Sequence, residues 1–368
     1  MRKERLLTVL LFIFLFLISC EKQSEQTLKI GVLTPLTGPG ALWGKNTLKG
    51  AELAVEELRK QGANIKLVVE DSKGSPLEGV KALQKMITLD RIDFLIDDAV
   101  SSVALAIVNI LTQKKLVCLS TGSTNPKLSG ASPYFFRLWN SDAEEASVIA
   151  KYALRRGFRA AYVIYIRNDY GEGLARKFRE VFVKNGGEIL LENSFAPGTS
   201  NFQYFISKIK NVHKANKSFI YIIGYPREIP SLIVQIRKSN VQIPIFGTAA
   251  FEDSSILARA GKYMEGVIYP YPKVVVTAKR EHFEKVYEKK YGEKPGSPAA
   301  EAYDAVYILY KAYKKVGTDA DKVREFLLNL RYEGASGYID FDEFGDVHKP
   351  FVIKTVRNGE FLIMEDNL

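Results

Sequence analysis

Cysteine and histidine are scarce in this chain of 368 residues, which contains 2 Cys and 3 His. Cys20 ends an N-terminal apolar run, and Cys118 lies inside a short apolar segment, a setting typical of small core residues. Without a second cysteine in the body of the chain, no internal disulfide is expected. The histidines are too scattered to suggest a metal site: His213, His282 and His348. We therefore expect neither a metal nor a cofactor.

Motifs of common enzyme classes are also missing. The sequence has no Gly-x-Ser-x-Gly nucleophile turn and no Gly-x-x-x-x-Gly-Lys-Ser/Thr phosphate loop. Gly38 and Gly40 are followed by a misplaced Gly44 and interrupted by proline, unlike a dinucleotide-binding turn. There is no arginine-rich arm and no zinc-finger spacing, so nucleic acid is not an expected partner. An α/β enzyme is the weakest of the alternatives.

Charge of one sign is not concentrated anywhere in the chain. It has 52 Lys+Arg and 42 Asp+Glu, a formal net charge of +10, with both signs mixed along the predicted helices. Mixed charges of this kind are typical of a solvated surface. A basic body also lies easily on an anionic membrane surface.

Long hydrophobic runs are absent except at the N-terminus. The run over 6–18 is interrupted only by Thr8 and follows three basic residues within the first five positions. It is shorter than the ~20 residues that a membrane span needs. Its end, Ser19-Cys20, resembles a bacterial lipobox, which implies a signal peptide over 1–19, an acylated Cys20 and a tether over 20–27. The alternative is a plain secretory signal with an incidental cysteine.

Strand and helix patterns alternate along the rest of the chain. Apolar runs predict eight strands in two sets: 28–33, 65–69, 92–96 and 116–119, then 160–165, 188–195, 219–223 and 244–246. Intervening segments with helical spacing predict α/β architecture with parallel sheets. The last hundred residues predict three helices and a hairpin with Asn358-Gly359 at its turn. Too little strand remains there for a third sheet, so this segment must complete the two earlier halves.

Five short motifs carry a resemblance to a known family: IGVLTPLTGP at 30–39, GAELAVEE at 50–57, DYGEG at 169–173, EAYDAV at 301–306 and FDEFGD at 341–346. In this order they resemble the branched-chain amino acid type of periplasmic binding protein, over about 28–356. The resemblance implies two Rossmann-like, doubly wound lobes joined by a three-strand hinge, with the ligand between them.

The implied lobes are discontinuous in sequence. Lobe 1 is expected to comprise 28–138 plus 270–350, and lobe 2 to comprise 139–269 plus 351–368. We expect the chain to cross between them near 136–140, 267–272 and 350–353.

The resemblance also implies which residues hold the ligand. Ser101, Thr124 and the backbone at Gly122 match family contacts to a carboxylate, at strand-to-helix junctions where free N–H groups favour negative charge. Tyr170 and Tyr225 match tyrosines that close over the ligand. Helix capping is the alternative role for Ser101 and Thr124, and simple packing is the alternative for the tyrosines.

A side-chain pocket is implied as well. Trp43 lies where the family often has a tyrosine that lines this pocket, and packing at a helix start is its alternative role.

Two departures from the family pattern concern charge. Asp97 and Asp98 precede Ser101 where glycine is common, and they weaken the assignment of a carboxylate site there. Ala249 lies where amino acid binders have an acid that pairs with the ligand ammonium. Unless Glu252 takes its place, the sequence favours a ligand without an α-ammonium group, such as a small carboxylate or amide.

The implied function is that of an extracytoplasmic binding lipoprotein of an ABC transporter, and not of an enzyme. The expected partners are a small organic ligand, a transporter permease and, through the lipid, a membrane. We expect a monomer in the periplasm or on the outer face of the cytoplasmic membrane. A ligand sensor that acts on a membrane receptor or regulator is the alternative.

Overall fold

The computed structural model of the protein describes residues 27–97, 100–211 and 217–366. In these ranges the chain forms two large sheets, and separate apolar cores pack against them. The α/β fold class with two lobes, predicted from the strand–helix alternation, is confirmed. The signal segment, Cys20, Asp98 and His213 lie outside the described residues.

The first sheet is parallel, with strand order β2-β1-β3-β4-β5. Its strands are β1 (Leu28–Thr34), β2 (Ile65–Asp71), β3 (Phe94–Asp97), β4 (Cys118–Ser120) and β5 (Phe135–Arg137). The connecting helices are α1 (Ala41–Lys60), α2 (Pro76–Lys85) and α3 (Ser101–Lys114). Cys118 is fully buried in β4, which confirms its prediction as a core residue.

The second lobe follows the same strand–helix plan. Its first strands are β6 (Ala160–Ile166), β7 (Glu188–Phe195), β8 (Ser218–Ile223), β9 (Ile245–Phe246) and β10 (Ile268–Pro272). Its helices are α4 (Asp142–Arg155), α5 (Asp169–Lys184), α6 (Gln203–Asn211), α7 (Ile229–Lys238) and α8 (Ser254–Ala260). Strand β6 is almost wholly buried, as expected for a central parallel strand covered on both faces.

The C-terminal part of the chain completes both lobes. Helices α9 (Ala278–Tyr291), α10 (Ala299–Val316) and α11 (Ala320–Leu328) contribute to the core of the first lobe. A small hairpin of β11 (Tyr332–Gly334) and β12 (Gly337–Ile339) follows them. Strands β13 (Phe351–Arg357) and β14 (Glu360–Glu365) then extend the second sheet to the order β14-β13-β10-β9-β8-β6-β7. The predicted hairpin at Asn358-Gly359 joins β13 to β14 and is confirmed.

Two of the family-like motifs hold the returning segment in place. A Cβ atom added to Gly50 would lie 2.0 Å from the Ala299 carbonyl oxygen, so glycine permits the close approach of α1 and α10. The buried Asp304 carboxylate accepts hydrogen bonds from the backbone N–H groups of Ala335 (2.8 Å) and Ser336 (2.7 Å). These contacts dock α10 between α1 and the β11–β12 turn.

The chain passes between the lobes after β5, after β10 and before β13. Residues 270–272, predicted to lie in the first lobe, belong to the second sheet, because Tyr271 pairs with Val352 and Pro272 with Phe351. The second crossing therefore follows β10 instead of coinciding with it. The other lobe limits stay a prediction.

Buried polar contacts tie the first crossing to the third. The Arg137 guanidinium, fully buried at the end of β5, donates to both carboxylate oxygens of Asp346 at 2.7 and 2.6 Å. A little further along, the Asn140 side chain donates to the Lys349 carbonyl oxygen at 2.7 Å. Two of the three connections thus form one hydrogen-bonded unit at the hinge.

Within the ranges described, no helix is long and apolar enough to cross a membrane. The same part of the chain contains no group of three or more His, Cys, Asp or Glu residues placed to hold a metal ion.

Candidate functional site

A cavity of about 50 Å³ lies in the cleft between the two lobes. Its lining combines residues from both lobes and from the first crossing: Trp43, Gly122, Thr124, Trp139, Asp142, Glu145, Tyr170, Ala249, Ala250, Glu252, Ser297 and Pro298. Five of the seven residues predicted from the sequence are among them, whereas Ser101 and Tyr225 are not.

The lobes touch across this cleft. The Asn125 side chain of the first lobe donates to the Asp169 carbonyl oxygen of the second at 2.6 Å. In return, the Asp169 N–H donates to the Ser102 hydroxyl at 3.3 Å. The structure is therefore a closed form.

The loop after β4 brings Gly122 and Thr124 to the cavity wall. Ser101 lies beneath this loop, fully buried, and its Oγ accepts hydrogen bonds from the N–H groups of Thr124 and Asn125, each at 3.2 Å. Within the described residues, the N-cap residue of α3, Val100, makes no capping hydrogen bond with its side chain. Ser101 therefore positions the loop, and neither lines the cavity nor caps its helix.

Asp97 is held below the same loop. Its Oδ2 atom accepts hydrogen bonds from the hydroxyls of Ser120 (3.3 Å) and Ser123 (3.2 Å), and its side chain is fully buried. Asp97 does not line the cavity, so it is part of the loop's support.

Aromatic side chains form one side of the cavity. Trp43 at the start of α1 meets Tyr225 of the other lobe edge to face, with ring centroids 5.0 Å apart. Tyr225 stacks on Tyr170 at 5.7 Å, and its hydroxyl accepts from the Asn168 side chain at 2.9 Å. The Tyr170 hydroxyl donates to Thr248 Oγ1 at 3.1 Å. Tyr225 thus supports the two rings that do line the cavity, Trp43 and Tyr170.

Two acids at the start of α4 form the opposite side. Ser141 caps this helix by accepting from the Ala143 N–H, which places Asp142 and Glu145 in its first turn, pointing into the cleft. Glu145 Oε1 accepts a hydrogen bond from the Ala249 N–H at 3.1 Å. Both side chains are buried, with 1% and 4% of their surface exposed.

Burial raises the pKa of both acids. For Asp142 the nearby Thr124 hydroxyl and Arg137 guanidinium act in the opposite direction. For Glu145 the Asp142 charge raises the pKa further, while the Ala249 N–H lowers it. Among the described residues, none donates a well-aligned hydrogen bond to either carboxyl oxygen of Asp142. In the part of the cleft that the structure describes, no lysine or arginine lines the cavity.

Glu252 also reaches the cavity, but its charge is already balanced. One oxygen accepts from the Tyr269 hydroxyl at 2.5 Å, and the other pairs with the Lys354 ammonium. Asp142 and Glu145 are therefore the acids available to a ligand.

The missing acid at Ala249 does not leave the cleft without acids, because Asp142 and Glu145 of α4 line the cavity. Glu145 contacts the backbone of Ala249 itself, so an acid from another segment occupies the region where the family's acid was expected. In the sequence, Asp142 and Glu145 look like ordinary first-turn acids of a solvated helix. The signal that could have identified them is the position of this helix directly after the first crossing.

Comparison with known proteins gives a consistent result. The family model described as "Periplasmic binding protein" matches residues 27–360. A leucine-, isoleucine-, valine-, threonine- and alanine-binding protein of Pseudomonas aeruginosa is 27% identical over 350 residues, covering 93% of this chain and 90% of the relative.

Two solved structures are similar over nearly the whole fold. A leucine-binding protein, LivK, of Thermotoga maritima superposes with a TM-score of 0.84 at 27% identity, covering 92% of this chain and 97% of that one. The branched-chain amino acid transporter substrate-binding protein LivJ of Streptococcus pneumoniae, solved with isoleucine, gives a TM-score of 0.82 at 25% identity, with 92% and 100% covered.

Proposed function

Because the chain belongs to the periplasmic binding protein family, we propose that it captures a small zwitterionic solute between its lobes and delivers it to an ABC transporter permease. Membership confirms the resemblance inferred from the five sequence motifs. The family and the matched relatives are substrate-binding transport proteins, and the chain is not an enzyme. The main support for a zwitterionic ligand is the pair of buried acids, Asp142 and Glu145, in the cavity wall.

A ligand ammonium group fits between these acids. A carboxylate withdrawn from water is costly unless a cation or hydrogen-bond donors compensate it, and removing one partner of a buried pair costs about 3–5 kcal/mol. The Thr124 hydroxyl and the Arg137 guanidinium compensate the Asp142 carboxylate only in part, because its pKa remains raised by burial. An ammonium would supply charge and donors to both acids together.

The remaining walls fit the rest of a small amino acid. The Thr124 hydroxyl and the backbone at Gly122 suit the ligand carboxylate at the end of the first sheet. The rings of Trp43, Trp139 and Tyr170 combine apolar area with polar edges, which suits an aliphatic side chain. Relatives that bind leucine, isoleucine or valine support this class of ligand.

The missing acid at Ala249 favours a ligand without an ammonium group, but Asp142 and Glu145 supply acidic groups to the cavity from another segment. An anionic ligand with no cationic group would instead face Asp142 and Glu145 directly. Like charges in a buried site oppose binding.

Calorimetric titration tests this function with matched ligands, leucine and its deaminated analogue 4-methyl-2-oxopentanoate. We expect leucine to bind at least a hundredfold more tightly, since about 3–5 kcal/mol for an uncompensated buried charge corresponds to roughly two or more decades of affinity. Glu145→Gln should lose most of the affinity for leucine. Glu180→Gln is the control, because Glu180 is half exposed on α5 and pairs only with neighbouring residues of that helix. Equal binding of the two ligands by the wild-type protein would contradict the proposal.

The lipid anchor and location are part of the same proposal. The lipobox-like end of the signal segment supports acylation at Cys20, which lies outside the described residues. Relatives in the family are periplasmic, which supports a position outside the cytoplasm. Cys20→Ala should leave an uncleaved precursor or release soluble protein, and mature, membrane-bound protein in that variant would exclude the anchor.

A further inference from the structure

A second cavity of about 60 Å³ borders Trp139, and neither Asp142 nor Glu145 lines it. It shares two lining residues, Trp139 and Ser297, with the ligand cavity. The two spaces are therefore separated by one indole ring and one small side chain.

Neighbouring residues fix both Trp139 and Ser297 in place. The Trp139 ring packs edge to face against Tyr271 of β10, with centroids 5.8 Å apart, and the residue is 9% exposed. The Ser297 carbonyl oxygen accepts a hydrogen bond from the Asn46 side chain at 2.9 Å, which fixes the backbone next to the ring. Of the two shared residues, only Trp139 has the bulk to divide the space.

The two cavities differ in charge. The ligand cavity is lined by acids and by no described cation. The second cavity is lined by Lys273, Arg280, Lys349 and a single acid, Glu301. Lys349 and Glu301 are almost fully buried and pair at 3.4 Å, which leaves two further cations facing the space. Lys273 and Arg280 pair with acids that do not line it, Asp366 at 2.7 Å and Glu284 at 2.5 Å.

We propose that Trp139 sets the length of ligand that the cleft accepts, and that the second cavity is a distal subsite for an anionic group at the far end of an amino acid side chain. This inference rests on the proposed function, since the acids at Asp142 and Glu145 must hold the ammonium end. With the indole in place, the ligand is confined to the acid-lined cavity. Shortening this side chain joins the two spaces and brings the basic lining within reach of a longer ligand.

Two ligands of matched length test the inference: norleucine, with an uncharged four-carbon side chain, and 2-aminoadipate, whose side chain has the same number of carbons but ends in a carboxylate. We expect the wild-type protein to bind norleucine at least tenfold more tightly. In Trp139→Ala the affinity for 2-aminoadipate should rise at least tenfold relative to that for norleucine. Tyr204→Ala is the control, because Tyr204 is an exposed aromatic residue outside both cavities and should leave the ratio unchanged.

If Trp139→Ala does not fold, a variant with a smaller change in side-chain volume can be measured instead. Trp139→Phe should shift the ratio of the two affinities in the same direction by a smaller factor. Equal changes in both affinities, or equal binding of both ligands by the wild-type protein, would overturn the role of Trp139 but not the proposed function. Failure of the wild-type protein to bind norleucine at all would overturn the proposed function and this inference with it.

Discussion

At the scale of single residues, Asp142 and Glu145 place two buried carboxyl groups in the wall of the cleft. Burial raises the pKa of Asp142, so the folded chain binds its proton more tightly than the unfolded chain does. Between the ordinary value, about 4, and the raised value, this group makes the protein more stable as the pH falls. Conversely, its ionisation destabilises the folded protein at higher pH.

Asp142→Asn should therefore be more stable than the wild-type protein at pH 8 in the absence of ligand. Since one pKa unit corresponds to about 1.4 kcal/mol, we expect a gain of about 1–3 kcal/mol that shrinks as the pH is lowered towards 5. Urea unfolding at several pH values measures this difference. Asp340→Asn is the control, because Asp340 is 54% exposed in a surface ion pair. A variant that is less stable at pH 8, or a difference that does not vary with pH, would refute the argument.

The same residues show why the binding site was only partly predictable. The family resemblance implied ligand contacts at Trp43, Gly122, Thr124, Tyr170 and Ala249, all of which line the cavity. Glu145 reaches Ala249 from a position 104 residues earlier, and no local pattern reveals such a contact. An acid at a binding site can come from any segment that folds into that region. The single aligned position, Ala249, therefore did not reveal Glu145.

At the scale of elements, a buried ion pair at the hinge joins Arg137 at the end of β5 to Asp346 in the loop before β13. Arg137 is fully buried, and Asp346 has 6% of its side chain exposed. Arg137→Met leaves the Asp346 carboxylate buried without its partner, which costs about 3–5 kcal/mol. We expect the free energy of unfolding measured in urea to fall by this amount.

The matched control is Arg331→Met, which breaks an ion pair whose side chains are 69% and 54% exposed. Pairs at the surface contribute about 0–1 kcal/mol, so its effect should lie in that range. The double variant Arg137→Met, Asp346→Leu should recover part of the stability, because no charge is then left buried. A loss below about 1 kcal/mol for Arg137→Met would contradict the account.

Most strands were predicted from apolar runs, including the short β4 and β9, whereas β5 and the hairpin β11–β12 were not. The predicted strand at 188–195 matches the observed limits of β7. The hairpin β11–β12 has strands of only three residues each, too short for alternation to be recognised. Strand β5 is equally short and lies beside the first crossing, so most of it was included in that crossing.

At the scale of the whole molecule, Gly173 permits the close approach of the two lobes. A Cβ atom at this position in α5 would lie 2.6 Å from the Asn125 Nδ2 atom of the opposite lobe. We expect Gly173→Val to oppose closure at a cost of about 1–3 kcal/mol, typical of overpacking, and so to weaken leucine binding roughly 5- to 150-fold.

Small-angle scattering measures closure directly. The wild-type protein should show a smaller radius of gyration when saturated with leucine, because the ligand favours the closed state by its differential affinity for it. Gly173→Val should show a smaller decrease. Lys177→Val introduces the same side chain at a partly exposed position of the same helix and should behave like the wild-type protein. An unchanged scattering profile of the wild-type protein at saturation would exclude a hinge mechanism.

The chain has 2 tryptophans, and both line the ligand cavity. Its intrinsic emission above the tyrosine band therefore originates only at the cleft, and the protein carries its own optical probe without a label. The two indoles differ in what they sense. Trp43 touches Tyr225 of the opposite lobe, so its surroundings change when the lobes separate, whereas Trp139 belongs to the first crossing and faces the partition between the cavities. Replacing one tryptophan at a time would separate the change in emission caused by lobe motion from the change caused by ligand occupancy.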